Sequence, residues 1–442
     1  MPIAAIEFLD RESRGIARAE GKTVFVEGAL PGETVEYEIR RSKPNYDQAR
    51  VTRIIRASAQ RVAPSCPHFG VCGGCTLQHL DPLAQAAVKQ RAMEDAFGHI
   101  ARIGPEVVLP AISGPAWGYR HRARLGVRRV PERGGMLIGF HEKRSSYIAD
   151  LGICPVLPPH LSAMLPALHE LADSLSIRDR IPQIEVAMGE SASGKPVTVL
   201  VFRHLLPFSD ADAARLAAFG AAREVEIWRQ PDGPESAQPL SDGQGGADGA
   251  ELAYFLPEYD LRLAFRPTDF TQVNVHTNRL LIRRAMQLLD PRPGERIADL
   301  FCGLGNFTLP IARRGATVTG VEGSNALAAR AMANVRANGL AARAGVYAAN
   351  LFETTEDSLA ALGSFDKMLL DPPREGAIAV VKAIARARSP WRLVYVSCNP
   401  ATLARDAAVL VREKGYALRG AGIVNMFPHT SHVETVALFE RF

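Results

Sequence analysis

The stretch Arg392-Leu-Val-Tyr-Val-Ser-Cys-Asn-Pro400 indicates the fold class of this chain. Its apolar, β-branched run predicts a buried strand. Asn399-Pro400 ends that strand, because proline cannot continue a central strand. Cys398 therefore stands where a strand passes into a loop, and in open α/β sheets ligands bind at that edge. Two interpretations of Cys398 are open at this point: a catalytic nucleophile, or a buried cysteine that packs as a small hydrophobic side chain.

The region around this stretch, from about residue 266 to residue 442, alternates strand patterns with helix patterns. This alternation predicts a doubly wound α/β domain. Two successive strand patterns at its end predict an antiparallel hairpin that closes the sheet. The predicted strands cover 296–302, 317–322, 344–350, 366–371, 391–398, 417–427 and 433–440, and an alanine-rich helix covers 324–338.

Residues 1–58 carry short alternating segments separated by glycine and proline, with the clearest strands at 21–28 and 33–40. The pattern predicts a small, OB-like β-barrel. The end of this segment is rich in arginine, and small barrels with a basic face often bind nucleic acid. A solvated charged rim is the alternative.

Residues 59–265 mix helix and strand patterns and are interpreted as a central α+β domain. A helix is predicted over 80–100. The stretch 231–250 is rich in Gly, Ser, Asp and Pro and lies between two strand patterns. It is predicted to be a mobile hairpin loop.

The stretch 117–129 predicts a strand with arginine at its outer positions and with Trp117, Tyr119 and His121 interleaved. Arginine can contact phosphate and aromatic rings can stack on bases, so this strand suits single-stranded RNA or DNA. A solvated strand face is the alternative.

Four cysteines form a separate pattern in the central region. Cys66, Cys72 and Cys75 have the spacing C-x5-C-x2-C, and Cys154 follows much later. Four thiolates can hold zinc or an iron–sulfur cluster, and His68 can replace one ligand in a zinc site. The spacing leaves zinc and cluster both open.

The composition is that of an ordinary globular protein, with 442 residues, 47% hydrophobic and 22% charged. This length predicts two to four domains. No apolar stretch approaches the length of a membrane span, so no membrane association and a cytoplasmic location are expected. The net charge of +5 is weak evidence for an acidic partner.

A second group of residues predicts a methyl donor site. In Asp299-Leu-Phe-Cys-Gly-Leu-Gly-Asn-Phe-Thr308, Gly303 and Gly305 allow close backbone approach to a ligand at a helix N-terminus. Glu322 ends the next strand, where an acid can accept both hydroxyls of a ribose. A nucleoside without a pyrophosphate, S-adenosylmethionine, fits this pattern; a simple tight turn is the alternative.

The stretch Asp371-Pro-Pro-Arg374 ends the fourth strand of this domain. Two prolines predict a rigid, extended loop beside the ligand edge. Such a loop can orient a planar base. The alternative is a rigid connector whose acid caps the following helix.

Together, these motifs resemble the RNA (uracil-5-)-methyltransferase family over nearly the whole chain. The cysteine set and a barrel that resembles a TRAM domain favour the branch of the family that acts on bacterial 23S rRNA, since the transfer-RNA branch lacks both. The motifs that carry the resemblance are Cys66/Cys72/Cys75/Cys154, Phe270-Thr-Gln-Val-Asn274, the 299–307 stretch, Asp371-Pro-Pro-Arg374, Ser397-Cys-Asn-Pro400 and His432-Val-Glu434.

The resemblance implies a Rossmann-like class I methyltransferase domain over 266–442, a TRAM-like RNA-binding barrel over 1–58 and an iron–sulfur domain over 59–265. It implies a monomer that transfers a methyl group from S-adenosylmethionine to carbon 5 of a uridine in 23S rRNA. It also implies a [4Fe-4S] cluster on Cys66, Cys72, Cys75 and Cys154, and a donor site formed by Gln272, Phe301, Asn306, Glu322, Asn350 and Asp371. Many members have tyrosine in place of Phe301; both rings are flat and apolar, so no loss of function is expected.

The same resemblance makes Cys398 the nucleophile and Glu434 the base. Carbon 5 of uracil is too weak a nucleophile to take a methyl group until a thiolate adds at carbon 6. A free cysteine is mostly thiol at neutral pH, so the site is expected to favour the anion. Glu434 lies in an otherwise apolar strand pattern, where an acidic residue is unusual and suggests a functional role. A salt bridge at the sheet edge is the alternative. Reaching a base in folded RNA requires flipping it out of its stack.

Three other functions fit parts of the sequence. The enzyme could methylate carbon 5 of uridine in another RNA or at another position. It could methylate a different acceptor, such as a base amino group or a protein side chain, which needs no cysteine. The third is a non-enzymatic iron–sulfur protein that binds RNA and senses redox state, but it leaves the C-terminal half unexplained.

Overall fold

The fold is described from a computed structural model, which covers residues 1–240, 251–385 and 389–441. In these ranges the strands form three sheets. Residues 241–250, the second half of the predicted mobile loop, lie outside the described residues.

The N-terminal sheet has the order β1-β5-β6-β4-β3-β2, and β4 pairs in parallel with β6 while the other neighbours are antiparallel. Burial alternates along β4, so one face packs on a small core. The predicted strands at 21–28 and 33–40 are confirmed, whereas closure into an OB-like barrel stays a prediction. The strands are β1 (Ile3–Ala5), β2 (Phe8–Leu9), β3 (Gly15–Ala19), β4 (Lys22–Glu27), β5 (Thr34–Ser42) and β6 (Tyr46–Arg56).

Helix α1 (Pro82–Ala96) confirms the helix predicted over 80–100. Asp81 caps it by accepting hydrogen bonds from the backbone N–H groups of Leu83 and Ala84, and proline occupies the first turn. A π-helical turn (Phe97–Ala101) continues it. The short strands β7 (Val107–Val108) and β8 (Ile112–Ser113) then join the edge of the C-terminal sheet.

The central sheet has the order β10-β9-β11-β12-β13-β14, and β15 pairs with β11 and β16. Two helices, α2 (Pro159–Ser174) and α3 (Asp210–Arg223), belong to this region. The strands are β9 (Arg122–Val130), β10 (Gly135–Gly139), β11 (Gln183–Glu190), β12 (Pro196–Arg203), β13 (Glu226–Gln230), β14 (Gln238–Pro239), β15 (Leu252–Leu256) and β16 (Leu261–Phe265).

Two predictions for this sheet are wrong. The strand predicted over 117–129 begins only at Arg122, and within the preceding segment Tyr119 is buried. The strands on either side of the 231–250 loop do not pair: β13 pairs with β12 and β14, and β15 with β11 and β16. The interpretation of 231–250 as a hairpin loop is therefore wrong.

The C-terminal sheet has the order β19-β18-β17-β20-β21-β23-β22-β7, with β8 also on β22. The strands β17 to β21 are parallel, and β23 is antiparallel to both β21 and β22, which confirms the predicted closing hairpin. The strands are β17 (Arg296–Leu300), β18 (Thr317–Glu322), β19 (Ala344–Ala348), β20 (Lys367–Leu370), β21 (Arg392–Ser397), β22 (Ala417–Asn425) and β23 (Glu434–Glu440), and the helices are α4 (Val275–Leu289), α5 (Thr308–Arg313), α6 (Asn325–Ala337), α7 (Glu356–Ala361), α8 (Ile378–Ala383) and α9 (Pro400–Arg412).

Apolar clusters cover both faces of this sheet, as expected for a doubly wound fold. One cluster joins Leu263 of β16 to Leu281 of α4 and Ile297 of β17, so it crosses residue 265. The central and C-terminal regions thus share a core. Among the described residues, no helix is both long and apolar enough to cross a membrane.

Candidate active site

A cavity of about 530 Å³ opens at the carboxyl ends of β17 to β21. All parallel strands of the sheet end at this edge, so residues far apart in sequence meet there. The eight residues predicted for catalysis and donor binding all line it: Gln272, Phe301, Asn306, Glu322, Asn350, Asp371, Cys398 and Glu434.

The turn after β17 has the geometry of a ligand-binding turn. Gly303 and Gly305 have φ values of 55° and 93°, a region that favours glycine. A Cβ at Gly305 would lie 2.3 Å from Leu309 Cδ1. The backbone N–H of Gly303 donates to Glu322 Oε2 at 3.0 Å, and that of Ser324 donates to Oε1 at 2.9 Å. These bonds hold the carboxylate of Glu322 against the turn.

Asn306 is fixed by an amide pair that the sequence did not indicate. Its side-chain oxygen accepts from Asn278 Nδ2 at 2.9 Å, and its Nδ2 donates to Asn278 Oδ1 at 3.1 Å. The hydroxyl of Tyr254 also donates to this oxygen at 3.0 Å. Because Tyr254 and Asn278 lie on β15 and α4, the donor-side wall includes part of the central sheet.

Cys398 and Glu434 lie at the ends of neighbouring strands. Ser397 of β21 is the register partner of Thr435 of β23, so the next residues toward the cavity are Cys398 and Glu434. Cys398 is half-buried, and Glu434 is only 4% exposed. The sheet register therefore places a thiol and a carboxyl group side by side at the cavity wall.

The electrostatic surroundings of Cys398 contradict one expectation. Burial, then the negative charges of Glu434 and Asp371, raise the pKa of the Cys398 thiol to about 12, although Arg374 acts in the opposite direction. The prediction that the site favours the thiolate is therefore wrong for the cavity without substrates. One guanidinium does not outweigh burial beside two carboxyl groups.

The two carboxyl groups are perturbed in the same direction. Burial and the charge of Asp371 raise the pKa of Glu434 well above its ordinary value. Burial and the charge of Asp299 raise the pKa of Asp371 to about 8. Perturbed carboxyl groups beside a nucleophile are typical of catalytic sites.

A second cavity, of about 240 Å³, is lined by all four cysteines of the predicted metal set, Cys66, Cys72, Cys75 and Cys154. None of them forms a disulfide. Phe427 and His432 line both this cavity and the catalytic one. The two cavities are therefore separated by a wall of two side chains.

The cysteine cavity has features of a cradle for a bound centre. A Cβ at Gly73 would lie 2.8 Å from the carbonyl oxygen of His141, so only glycine allows this approach. Burial raises the pKa of Cys75 to about 11 and that of Cys154 to about 12, so these thiols ionise only beside a strong positive charge.

Within the described ranges, however, no three His, Cys, Asp or Glu side chains are grouped closely enough to hold a single metal ion. Four thiolates at about 2.3 Å from one zinc must lie within about 4 Å of one another. A metal centre or cluster on these cysteines therefore stays a prediction.

Two families match the sequence. The sequence model described as "tRNA (Uracil-5-)-methyltransferase" matches residues 256–442, and the TRAM domain matches residues 4–52. The 23S rRNA (uracil(1939)-C(5))-methyltransferase RlmD of Azoarcus sp. (strain BH72) is 69% identical over 441 residues, covering 100% of both chains. The protein of the same name from Nitrosospira multiformis is 56% identical and covers 99% of this chain and 98% of that protein.

The chain belongs to the RNA (uracil-5-)-methyltransferase family. A solved structure with a similar fold is that of Pyrococcus abyssi tRNA (uracil-54, C5)-methyltransferase in complex with S-adenosyl-L-homocysteine. It has a TM-score of 0.72, 24% identity and 99% coverage of both chains. This likeness and the family models confirm a class I methyltransferase fold and a TRAM domain.

In this member of the RNA (uracil-5-)-methyltransferase family, the predicted aromatic RNA platform does not exist as expected. Trp117 stacks on His429 with ring centroids 3.8 Å apart, and Tyr119 is buried with its hydroxyl donating to the carbonyl of Pro428. The backbone N–H of His121 donates to the carbonyl of Val273. Trp117 and Tyr119 therefore anchor the loop between β22 and β23, whereas His121 bonds to the segment before α4.

The basic part of the same stretch divides into two groups. Arg122 is mostly buried and donates to the carbonyl of Thr268, whereas Arg124, Arg128 and Arg129 are exposed on β9. The exposed arginines line a groove of about 510 Å³. An RNA-facing surface is thus compatible with the arginines but not with the aromatic residues.

Several cavity residues were missed by the sequence analysis of this methyltransferase. Tyr254 lines the cavity and Asn278 bonds to Asn306, and both lie in ordinary strand and helix patterns. Phe427 precedes the His432-Val-Glu434 motif by a few positions, and its aromatic character alone gives no functional signal. Arg374 and His432 were inside quoted motifs, and their side chains are within 2.9 Å of each other. For these two residues, the signal available in the sequence was their position inside a recognised motif.

Proposed function

We propose that the protein methylates carbon 5 of a uridine in 23S rRNA in the cytoplasm, using S-adenosylmethionine as donor. The observation that carries the proposal is the position of Cys398 beside Glu434 in the cavity that also contains the Gly303 turn and Glu322. The relatives named RlmD, identical at 56% to 69% over full length, support the RNA and the position, uracil 1939.

The proposed reaction begins with the thiolate of Cys398. Its Sγ forms a bond to carbon 6, and the C5=C6 electron pair moves to carbon 5 as an enolate. Carbon 5 then bonds to the donor methyl group, while the methyl–sulfonium bond breaks and sulfur keeps its electron pair. Finally the carboxylate of Glu434 takes the proton from carbon 5, the double bond re-forms and Sγ leaves as thiolate.

Substrate binding supplies the charge that the free cavity lacks. Burial raises the pKa of the Cys398 thiol to about 12, so this group is protonated at neutral pH, and burial also raises the pKa of Glu434. A sulfonium cation bound nearby stabilises both anions and lowers both pKa values. Arg374 acts in the same direction on Cys398. Reactive thiolate is then formed only when the methyl donor is present.

We assign the donor-binding roles to Gln272, Phe301, Asn306, Glu322, Asn350 and Asp371. Glu322 is held at the cavity for accepting ribose hydroxyls, since its Oε2 bonds to the glycine turn and its Oε1 bonds to the backbone N–H of Ser324. Phe301 has a φ of 66°, a strained value for a bulky residue, and its ring lies 5.7 Å from that of Phe352. The two rings form an apolar edge for a planar base.

We further propose that a [4Fe-4S] cluster is held by Cys66, Cys72, Cys75 and Cys154 and stabilises the central domain. We also propose that the chain acts as a monomer with three domains, 1–58, 59–265 and 266–442. The four-cysteine cavity and its glycine cradle support the cluster. Iron analysis and visible absorption of anaerobically purified protein test it. Stoichiometric zinc without iron would contradict it, and mass determination in solution tests the monomer.

The catalytic proposal is tested with 23S rRNA transcripts that contain 5-fluorouridine. Fluorine cannot leave as a proton, so an active preparation should form a covalent protein–RNA complex that depends on the donor and on Cys398. Absence of the complex from a preparation that methylates ordinary RNA would refute the mechanism, as would methylation by a Cys398→Ala variant. Mapping 5-methyluridine in rRNA from a deletion strain tests the position.

A further inference from the structure

Helix α1 directly follows the cysteine segment and carries two fully buried polar side chains, Gln85 and Lys89, one turn apart. Residues at this spacing face the same side of a helix. Neither side chain belongs to the catalytic cavity or to the cysteine cavity. Burying such groups is unfavourable unless they make specific hydrogen bonds, so their partners identify what they do.

Lys89 binds the start of the loop between β22 and β23. Its Nζ donates to Asn425 Oδ1 at 2.7 Å and to the carbonyl oxygen of Phe427 at 2.8 Å. No ion pair in the described part of the chain includes Lys89, and burial lowers its pKa to about 7. Both acceptors of the Lys89 amine therefore lie on the same loop.

Gln85 binds the middle of the same loop. Its Nε2 lies 3.1 Å from His429 Nδ1, and its Oε1 accepts from the backbone N–H of His429 at 2.7 Å. The same Nε2 donates to the carbonyl groups of Leu77 and Leu80, just after the cysteines. The carbonyl of His429 in turn accepts from the backbone N–H groups of Thr76 and Leu77. One amide therefore joins the cysteine segment to the loop.

This loop forms the wall beside the proposed base. The pairing of β22 with β23 ends at Val424 and Glu434, so the loop starts and ends at the last pair of the ladder. Between these positions, Phe427 and His432 face the catalytic cavity. The position of the Glu434 carboxyl group therefore depends on how the loop is anchored.

We propose that Gln85 and Lys89 are positioning residues for proton removal, which hold the loop 425–432 so that Glu434 faces carbon 5 of the bound uracil. The inference rests on the proposed function. It predicts a specific kinetic defect, because addition of Cys398 and methyl transfer do not use Glu434. A displacement of about 1 Å in a catalytic group can reduce the rate on the order of a hundredfold.

The test compares full-length parent, Lys89→Met and Gln85→Met on RNA with uridine and RNA with 5-fluorouridine. We expect turnover on uridine RNA to fall at least about tenfold in kcat, with KM for RNA within about threefold of the parent. The rate of adduct formation on 5-fluorouridine RNA should stay within about threefold, because that complex forms without the base. Lys89→Gln, whose amide can donate both hydrogen bonds, should recover part of kcat.

Arg91→Ala is the matched control, since Arg91 lies on the exposed face of the same helix and pairs with Asp95. It should match the parent in both assays. Unchanged kcat in the folded variants would overturn the inference, and so would an equal loss of turnover and adduct formation. If Lys89→Met does not fold, the test rests on Gln85→Met. Its affinity for the methyl donor and its iron content then show whether it is folded. Failure of the parent to form the adduct would instead refute the proposed function.

Discussion

At the scale of single residues, three acidic groups share the catalytic cavity. Burial raises the pKa of each group; the charge of Asp371 raises those of Glu434 and Cys398 further, and the charge of Glu434 raises that of Cys398. Groups coupled in this way lose their protons one after another. With the pKa of Asp371 at about 8 and that of Cys398 at about 12, the carboxyl group ionises before the thiol. Formation of the thiolate therefore needs a positive charge nearby.

Replacing Glu434 by Gln should trap the reaction after methyl transfer. The amide keeps the size of the carboxyl group but cannot take the proton from carbon 5, so Sγ of Cys398 cannot leave. We expect a covalent complex on ordinary uridine RNA, detected by denaturing gel electrophoresis, and turnover reduced at least about a hundredfold. A Cys398→Ala/Glu434→Gln double variant is the control and should give no complex. Normal turnover of Glu434→Gln would exclude Glu434 as the base.

The pH dependence of adduct formation should follow the raised pKa of Cys398. Since the pKa is raised to about 12 in the unliganded site, the reactive thiolate fraction increases with pH throughout the neutral range. At saturating donor, the adduct rate on 5-fluorouridine RNA should rise by up to about a hundredfold from about pH 7 to about pH 9, since the thiolate fraction grows about tenfold per pH unit below the pKa. Arg374→Met should lower the rate at each pH, because the guanidinium opposes the shift. A flat profile would show that thiol ionisation does not limit the reaction.

At the scale of elements, the sequence predicted the C-terminal sheet well, because strands there are short apolar runs ended by glycine, proline or acids. Cys398 was placed correctly from the Asn399-Pro400 signal alone. The stretch 117–121 was not placed correctly, because an alternation of basic and aromatic residues does not show which side chains pack against the rest of the protein. Trp117 is covered by His429, more than 300 residues away in sequence, and only the tertiary structure reveals that contact.

The stability of the N-terminal sheet should depend on one buried ion pair, between Glu33 and Arg61. The Glu33 side chain is fully buried, and it accepts from Arg61 Nε at 2.6 Å and from the backbone N–H of Leu30. Burial raises the pKa of Glu33, but these bonds outweigh it and the net pKa is lowered. The stabilisation is therefore present above the unfolded-state pKa and is lost as the pH falls.

Replacing Arg61 by Met should leave that carboxylate buried without its partner. We expect the free energy of unfolding of this region to fall by about 3 kcal/mol, measured by urea denaturation followed by hydrogen exchange. Arg53→Met is the control: Arg53 pairs with Glu36 on the same sheet but is mostly exposed, so the cost should be below about 1 kcal/mol. Equal effects of the two variants would contradict the role of the buried pair.

At the scale of the whole molecule, the catalytic cavity draws residues from the central sheet and from the methyltransferase sheet. Tyr254 of β15 and Asn306 after β17 meet there although they belong to different sheets. The donor motifs are local in sequence and could be recognised, whereas such contacts between sheets have no local pattern. The shared wall of Phe427 and His432 between the two cavities was unpredictable for the same reason.

The exposed arginines of β9 should increase the affinity for RNA by attracting its phosphate groups, independently of the base sequence. Arg124 and Arg129 are already paired, with Glu185 and Asp179. Arg128 lines the same groove and has no ion pair within the described residues. A cation that neutralises one RNA phosphate releases counterions, so Arg128→Ala should weaken binding of any RNA sequence by a similar factor. The slope of log affinity against log salt should decrease by about 0.7 to 0.9.

Fluorescence anisotropy with labelled rRNA fragments at several salt concentrations measures this slope. Arg292→Ala is the matched control, because Arg292 is also exposed but pairs with Asp290 and does not line the groove. Its slope and affinity should equal those of the parent. An unchanged slope in Arg128→Ala would mean that the groove does not contact the RNA backbone. A loss of affinity for one sequence only would instead indicate a base contact, since phosphate contacts carry no sequence information directly.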